Sequence, residues 1–289
     1  MAVVATGFFD GVHLGHRKVI SELVSSSRQK GEEALVVTFS QHPRTLFQRD
    51  ALGLRLLSSR EEKTALLLSL GVDRVETLDF TPALASLEAR SYISEVLKAR
   101  YGASGVVLGY DNRFGSDCLS TDELSALIRS EGLGCKLVPP LVMGSDTVSS
   151  TKIRALLDKG EVSAAAAMLG YAYSLKGVVV PGKQLGRTLG FPTANLCISD
   201  PLKQIPARGV YLSRTTVMGE SYPSMTNVGD IVETNIFDFS RDIYSMEISV
   251  SFIARIRPML PFSNLDELSE RLRRDEFRCR AMLSEMHQG

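Results

Sequence analysis

The first turn of the chain reads Gly7-Phe8-Phe9-Asp10-Gly11-Val12-His13-Leu14-Gly15-His16. The segments on either side of this turn indicate the architecture of the N-terminal half. Residues 2–6 before it are short, apolar and partly β-branched, which predicts a buried strand. Residues 17–24 after it carry apolar side chains at helical spacing. The turn therefore joins a strand to a helix, and an open α/β sheet binds its ligands beyond the carboxyl ends of its strands.

The residue types in this turn suit a phosphate group. Glycines let the backbone approach an anion, and the N-terminus of the following helix adds positive potential. His13 and His16 are three residues apart, so on a helix both point the same way and can stabilise charge developing on a phosphoryl group. The alternatives are an incidental pair or a zinc site. With only four histidines and no cysteine pair at ligand spacing, the sequence favours phosphate chemistry.

The composition limits the class of protein. A length of 289 residues favours two domains, and 33 basic against 33 acidic residues favours neither a nucleic-acid nor a membrane partner. The four cysteines lack CxxC spacing and read as free thiols of a reducing compartment. The N-terminal apolar run meets Asp10 too early for a signal peptide, and no stretch is long enough to span a bilayer. We therefore expect a cytoplasmic protein.

The first half of the chain alternates strand and helix patterns. This alternation predicts an α/β fold with a doubly wound, mostly parallel sheet and helices on both faces. Further strands are expected over 34–39, 72–78, 105–109 and 135–138, and helices over 59–70, 91–101, 122–131 and about 151–169.

The pattern changes near Gly170. Short β-type runs follow, over 174–180, 209–212 and 246–253, and they predict an antiparallel barrel or sandwich closed by a helix over about 264–284. We therefore expect a first domain over residues 1–170 and a second, smaller domain over residues 171–289.

A second polar turn, over residues 146–154, opens the last helical stretch of the first domain. Its hydroxyls and cations suit phosphate, although a plain helix cap is the alternative. Polar loops over residues 42–44 and 109–115 follow two other predicted strands. Since parallel strands end at one edge of a sheet, all of these turns are expected at one edge.

The His-x-Gly-His turn and the Ser-Ser-Thr turn over residues 149–151 resemble those of the nucleotidylyltransferase superfamily. The fuller set, with Thr38-Phe39, His42-Pro43-Arg44 and Arg113-Phe114-Gly115, resembles the bacterial bifunctional riboflavin kinases/FMN adenylyltransferases over essentially the whole chain. Residues 186–195, Gly-Arg-Thr-Leu-Gly-Phe-Pro-Thr-Ala-Asn, are similar to a riboflavin kinase signature.

For the first domain the resemblance implies a nucleotidylyltransferase-like fold that transfers the adenylyl group of ATP to FMN, with His13 and His16 as catalytic residues. The residues expected to bind ATP or its phosphates are Gly7, Phe8, Asp10, Gly11, Arg113, Ser149, Ser150, Thr151 and Arg154. Those expected to bind the flavin are Phe39, His42, Pro43 and Asp111.

For the second domain the resemblance implies phosphorylation of riboflavin by ATP, with Glu233 as general base and the C-terminal helix residues Arg278 and Arg280 at the flavin. No GxxxxGK[ST] motif is present, so this is not a P-loop kinase. Thr193 and Asn195 offer oxygen ligands for Mg²⁺. The residues expected at the ATP phosphates are Gly182, Lys183, Gly186, Arg187, Gly190 and Pro192.

One departure from the family pattern leaves alternatives open. Only residues 230–232 separate Gly229 from Glu233, where family members carry a longer loop. The chain could therefore be a monofunctional FMN adenylyltransferase with a degenerate second domain, or a non-catalytic flavin-binding protein. In the favoured interpretation the partners are the small molecules riboflavin, FMN and ATP, and the protein is a monomer or weak homo-oligomer.

Overall fold

The computed structural model describes residues 1–41, 53–182, 186 and 189–286. Contacts divide the chain into two compact units, Met1–Ser150 and Thr151–Gly289, which we describe separately. Within the described ranges, none of the helices is both long and apolar enough to cross a membrane.

The first unit is built on a five-stranded parallel sheet, as the alternating pattern predicts. The strand order is β3-β2-β1-β4-β5, so the order reverses beside β1 and opens a crevice at the carboxyl ends of β1 and β4. The strands are β1 (Ala2–Thr6), β2 (Glu33–Phe39), β3 (Arg74–Leu78), β4 (Ala103–Gly109) and β5 (Gly134–Val138).

Helices cover both faces of this sheet. On one face, α1 and α2 bury Ile20, Leu23 and Leu67; on the other, α4 and α5 bury Ile93 and Leu124. Their bounds are α1 (Leu14–Lys30), α2 (Arg60–Ser69), α3 (Pro82–Ala85), α4 (Ala89–Ser91, continued directly as a π-helix over Tyr92–Arg100) and α5 (Thr121–Ser130). A small hairpin of β6 (Val142–Met143) and β7 (Asp146–Thr147) follows β5.

The second unit is a closed antiparallel barrel followed by a long helix, so of the two predicted forms the barrel is confirmed. The strand order is β10-β11-β12-β9-β8-β13, with β13 returning to β10. The elements are α6 (Ser150–Lys159), α7 (Val162–Leu169), β8 (Ser174–Val180), β9 (Ala194–Ile198), β10 (Gly209–Val217), β11 (Glu220–Val228), β12 (Val232–Ile236), β13 (Glu247–Arg257) and α8 (Leu265–Met286).

The contact division lies at Ser150, earlier than the change of sequence pattern near Gly170. The reason is that α6 and α7 pack on the barrel. The amide of Ala207 donates to Leu157 O over 2.8 Å, and the hydroxyl of Ser163 donates to Ile253 O over 2.7 Å. Helical periodicity alone does not reveal which neighbour a helix covers.

Candidate active sites

The turn between β1 and α1 adopts an unusual backbone. Phe9 and Val12 have positive φ values of 53° and 39°, and Gly11 lies between them at 75°. A β-branched residue at positive φ is strained, and such strain persists only where the surroundings fix the conformation. The turn is therefore held by the rest of the unit.

Hydrogen bonds that involve side chains join this turn to two other segments. The buried carboxylate of Asp10 accepts from the amides of Leu57 and Ser58 over 2.8 and 3.2 Å. The amide of Gly11 donates to Ser58 Oγ, and Ser150 Oγ donates to Asp10 O, both over 3.0 Å. Asp10 and Gly11, predicted to bind phosphate, thus shape the turn through main-chain and carboxylate contacts.

The two histidines predicted to be catalytic are in contact. His13 caps α1, because its Nδ1 accepts from the amide of His16 over 3.3 Å. Their rings stack with centroids 3.6 Å apart and planes inclined by 16°. A Cβ on Gly15 would lie 3.1 Å from the His13 ring, so a glycine at this position leaves room for the stack.

His16 lies in a water-poor environment. Its Nδ1 is buried and, among the described residues, has no hydrogen-bond partner. Burial, the neighbouring His13 and the charge of Lys63 lower the pKa of His16 well below its ordinary value of 6.5. His16 is therefore neutral at pH 7.

Lys63 lies beside this turn, although the sequence did not predict it as a site residue. It projects from α2 and is 3% exposed. Its Nζ donates to Phe8 O over 3.0 Å and to Phe39 O over 3.4 Å, and it lies 4.0 Å from the centre of the Phe8 ring. Its spacing of four residues from buried Leu67 places it on the core-facing side of the helix, the one signal that the sequence offers.

The other predicted residues of the first unit lie at the ends of its strands. Gly7 follows β1 and donates to Val37 O, and Phe39 is the buried last residue of β2. Asp111 and Arg113 are exposed in the loop after β4. In that loop Asn112, another residue not predicted, donates through Nδ2 to Thr6 O over 2.5 Å.

The remaining predicted residues of the first site lie at the start of α6 or outside the described residues. Ser149 immediately precedes α6, while Thr151 and Arg154 lie within that helix and belong to the second unit. His42 and Pro43 lie outside the described residues, so their predicted contact with the flavin stays a prediction.

The second unit brings Asn195 and Glu233 together on neighbouring strands. The two residues are directly paired across β9 and β12. With its amide oriented to satisfy both neighbours, Asn195 donates to Glu233 Oε1 over 2.8 Å and accepts from the amide of Gly182 over 3.3 Å. A Cβ on Gly182 would lie 1.9 Å from this amide, so the backbone approach requires glycine.

The glycine-rich segment ahead of β9 makes a tight turn next to this pair. Gly186 O accepts from the amides of Leu189 and Phe191 over 3.1 and 2.8 Å. A Cβ on Gly186 would lie 3.3 Å from the hydroxyl of Thr193, which places that hydroxyl beside the turn. Gly190 has a positive φ of 83°. Lys183 and Arg187 lie outside the described residues.

Pro192 and the two arginines of α8 have partners within the second unit. Pro192 O accepts from the side chain of Asn235 over 2.7 Å. Arg278 donates to Ile256 O, and Arg280 binds Asp238 through two nitrogens over 2.9 and 3.0 Å. The predicted role of both arginines at the flavin stays a prediction.

Metal ligands of the histidine, cysteine or carboxylate type do not cluster within the described part of the chain in groups of three or more. The zinc alternative at His13 and His16 therefore finds no third ligand of these types there. The second unit instead places the hydroxyl of Thr193 beside Gly186 and the amide of Asn195 beside Gly182. Neutral oxygen donors of this kind suit a hard cation that also binds phosphates.

Comparison with known proteins also divides the chain into two parts. Family models match in two parts of the chain, FAD synthetase over residues 1–152 and riboflavin kinase over residues 169–283. The protein named bifunctional riboflavin kinase/FMN adenylyltransferase in Listeria monocytogenes is 33% identical, over 98% of this chain and 93% of its own length. The chain belongs to the bifunctional riboflavin kinase/FMN adenylyltransferase family. The resemblance inferred from the motifs is thereby confirmed.

Other members of the family are similar to the same extent. The Bacillus subtilis member is 32% identical, with 95% of this chain and 90% of the relative covered, and the Escherichia coli member is 32% identical, with 96% and 91% covered. A crystal structure described as a macrolide-efflux protein from Streptococcus pneumoniae superposes with a TM-score of 0.90 at 32% identity, covering 96% of this chain and 94% of that one. That likeness extends over both units.

Proposed function

We propose that this chain makes FAD in two steps, phosphorylating riboflavin to FMN and then adenylylating FMN with release of pyrophosphate. The proposal rests on one observation: each of the two family matches contains one of the two candidate sites. The stacked histidines lie within the FAD synthetase match, and the Asn195–Glu233 pair lies within the riboflavin kinase match.

Adenylyl transfer is assigned to the first unit. A phosphate oxygen of FMN attacks the α-phosphorus of ATP, and the bond to the departing pyrophosphate breaks. The N-terminus of α1 follows the turn after β1, at the carboxyl edge of the sheet, where its positive dipole end can bind phosphate oxygens. His13 and His16 stabilise charge on the transferring group by hydrogen bonding, so catalysis consists of positioning and electrostatics.

Riboflavin phosphorylation is assigned to the second unit, with Glu233 as the general base. Asn195 binds Glu233 Oε1, so the other carboxylate oxygen receives the proton of the ribityl hydroxyl. The hydroxyl oxygen forms its bond to the γ-phosphorus of ATP as the bond to ADP breaks. The Gly182 and Gly186 segments bring main chain close to Asn195 and Thr193, which suits a phosphate-binding loop.

The residues of the second unit fit a magnesium ion. Thr193 and Asn195 would supply oxygen ligands, and the ATP phosphates would supply the others. When bound, Mg²⁺ neutralises charge on the phosphates. We further propose that the enzyme acts in the cytoplasm on these small molecules alone, as a monomer or weak homo-oligomer without a nucleic-acid or membrane partner.

The test is product chromatography after incubation of the purified protein with riboflavin, ATP and Mg²⁺. We expect FMN and then FAD. Glu233→Gln should lower riboflavin phosphorylation by about a hundredfold or more, the range for loss of a general base. The same variant should still convert added FMN to FAD, which makes it a control for folding.

Other results would contradict parts of the proposal. Unchanged riboflavin with normal conversion of FMN would favour a monofunctional adenylyltransferase. The structural feature behind that alternative is the short connection in which β11 ends at Val228 and β12 begins at Val232. Tight flavin binding without any ATP consumption would favour a non-catalytic flavin-binding protein.

A further inference from the structure

Lys63 connects two strand ends that carry different substrate contacts. Its Nζ donates to Phe8 O in the turn after β1 and to Phe39 O at the end of β2. The first position belongs to the turn predicted to bind ATP, and the second to the strand end predicted to bind the flavin. One ammonium group thus links the two halves of the proposed site.

The turn at Phe8 does not need the positive charge of Lys63 to keep its conformation. Thr38 Oγ1 already donates to Phe8 O over 3.1 Å, without any charge. Burying an ammonium group is unfavourable unless nearby groups compensate it. Here the compensation comes from the two carbonyls, the Phe8 ring at 4.0 Å and the carboxylate of Asp10. A buried charge retained at such a position suggests a use other than stability.

The charge of Lys63 also acts on the histidine pair. Its positive potential is one of the causes that lower the pKa of His16. A charge that acts on His16 also acts on a phosphate bound beside the stacked rings. The electrostatic effect of Lys63 therefore reaches the reacting group as well as the main chain.

We infer that Lys63 is a positioning residue for adenylyl transfer, fixing the ATP-binding turn relative to the end of β2 and directing positive potential onto the phosphates bound there. This inference rests on the proposed function of the first unit. Because Lys63 acts through Phe8 O and Phe39 O, its removal should impair the transition state more than ground-state binding of either substrate.

The pH dependence separates this role from a merely structural one. Burial lowers the pKa of Lys63 to about 8; Asp10 opposes the shift and Arg60 adds to it. Among the described residues, the charged or titratable groups that interact electrostatically with Lys63 are Asp10, Arg60 and His16. We therefore expect adenylylation by the unaltered enzyme to fall as the pH rises through about 8.

The free energy of unfolding should rise over the pH range in which adenylylation falls. Because the folded pKa of Lys63 lies below its ordinary value of 10.5, the unfolded chain binds more protons than the folded chain above about pH 8. The free energy of unfolding therefore gains from Lys63 as pH rises from 8 to 9. Above pH 9 the buried Cys279 thiol, whose pKa is raised to about 12, acts in the other direction.

The experiment compares Lys63→Met, Lys63→Arg and the control Lys30→Met. Lys30 lies in the last turn of α1, away from the carboxyl ends of the strands. Steady-state formation of FAD from FMN and ATP is measured from pH 6.5 to 9.5, and riboflavin phosphorylation is measured in the same preparations. For Lys63→Met we expect a loss of about tenfold or more in kcat with little change in either KM. Riboflavin phosphorylation should be unchanged.

Lys63→Arg provides the second arm, since arginine stays charged over the whole range. It should restore part of the activity and move the alkaline fall to higher pH. The inference is overturned if Lys63→Met adenylylates as well as Lys30→Met. If Lys63→Met does not fold, an identical alkaline fall in Lys63→Arg and the unaltered enzyme overturns it. An unaltered enzyme that forms no FAD from FMN would instead contradict the proposed function.

Discussion

At the scale of single residues, the contact between the two histidines depends on a missing side chain. Gly15 lies between them in the first turn of α1, where an added Cβ would come within 3.1 Å of the His13 ring and 3.2 Å of its Nδ1. Since the ring is fixed by its capping bond to the amide of His16, it has little freedom to move away. The stacked arrangement thus favours glycine at position 15, because the His13 ring would have to shift to admit a Cβ.

Gly15→Ala should therefore separate activity from stability. Alanine favours a helix over glycine by roughly 0.5–1 kcal/mol, so the thermal midpoint should be unchanged or higher. The displaced ring should lower the kcat for adenylylation by about tenfold. Gly53→Ala is the matched control, because an added Cβ there meets no described residue within 4 Å. Equal adenylylation by the two variants would show that the stack is not needed.

The sequence could predict the histidine pair but not its partners. The spacing of His13 and His16 places both on one side of a helix start, whatever surrounds them. The burial of Lys63 depends instead on the convergence of β1, β2 and α2, which are far apart along the chain. Periodicity puts a lysine on the core-facing side of α2 without revealing what it binds there.

At the scale of elements, a buried cluster of charges joins α8 to the barrel. Arg257 on β13 donates to Asp275 over 2.7 Å, and Arg271 lies 3.1 Å from the other carboxylate oxygen. Asp275 is 2% exposed and Arg257 8%. Because both arginines depend on one buried carboxylate, this single residue controls how α8 packs on the strand.

Asp275→Asn should destabilise the second unit strongly. Removal of one partner from a buried ion pair leaves an uncompensated charge and typically costs about 3–5 kcal/mol. Denaturant unfolding followed by loss of riboflavin phosphorylation measures the effect. Glu270→Gln is the control on the same helix, since Glu270 pairs with Arg274 on the exposed surface, where ion pairs contribute little. A similar midpoint for both variants would contradict the assigned role of Asp275.

The elements of the barrel were harder to predict than those of the sheet. In the first unit, apolar strands alternate with amphipathic helices, and Ser59 and Glu62 form a capping box at the start of α2. In the barrel, however, inward positions carry hydroxyls that bond to one another, so β11 does not show an apolar alternation. These buried hydroxyls belong to Ser213, Thr215, Ser224, Thr226 and Thr234.

At the scale of the whole chain, two helices lie between the parts that the two family models match. The FAD synthetase match ends at residue 152 and the riboflavin kinase match begins at residue 169, leaving α7 and most of α6 between them. Sequence pattern assigns these helices to the first domain, because they continue its helical character. Their hydrogen bonds to Ala207 and Ile253 instead tie them to the barrel.

Two fragments test this boundary. We expect residues 151–289 to fold with a higher thermal midpoint than residues 171–289, since the shorter fragment exposes the barrel surface that α6 and α7 cover. Buried residues at stake include Ile153, Leu157, Val162 and Leu169. Thermal unfolding and riboflavin phosphorylation of both fragments provide the measurement. Equal midpoints would favour the boundary at residue 170.

The capping bond of His13 determines what kind of group the histidine pair presents to a nucleotide. Nδ1 can accept from the amide of His16 only if it carries no proton, so His13 stays uncharged while α1 remains capped. His16 is uncharged as well. In the proposed mechanism the pair would therefore act as two neutral hydrogen-bond donors rather than as counter-ions. In that mechanism the pair needs no proton from the solvent, and the positive charge at the phosphates would come from groups other than the histidines.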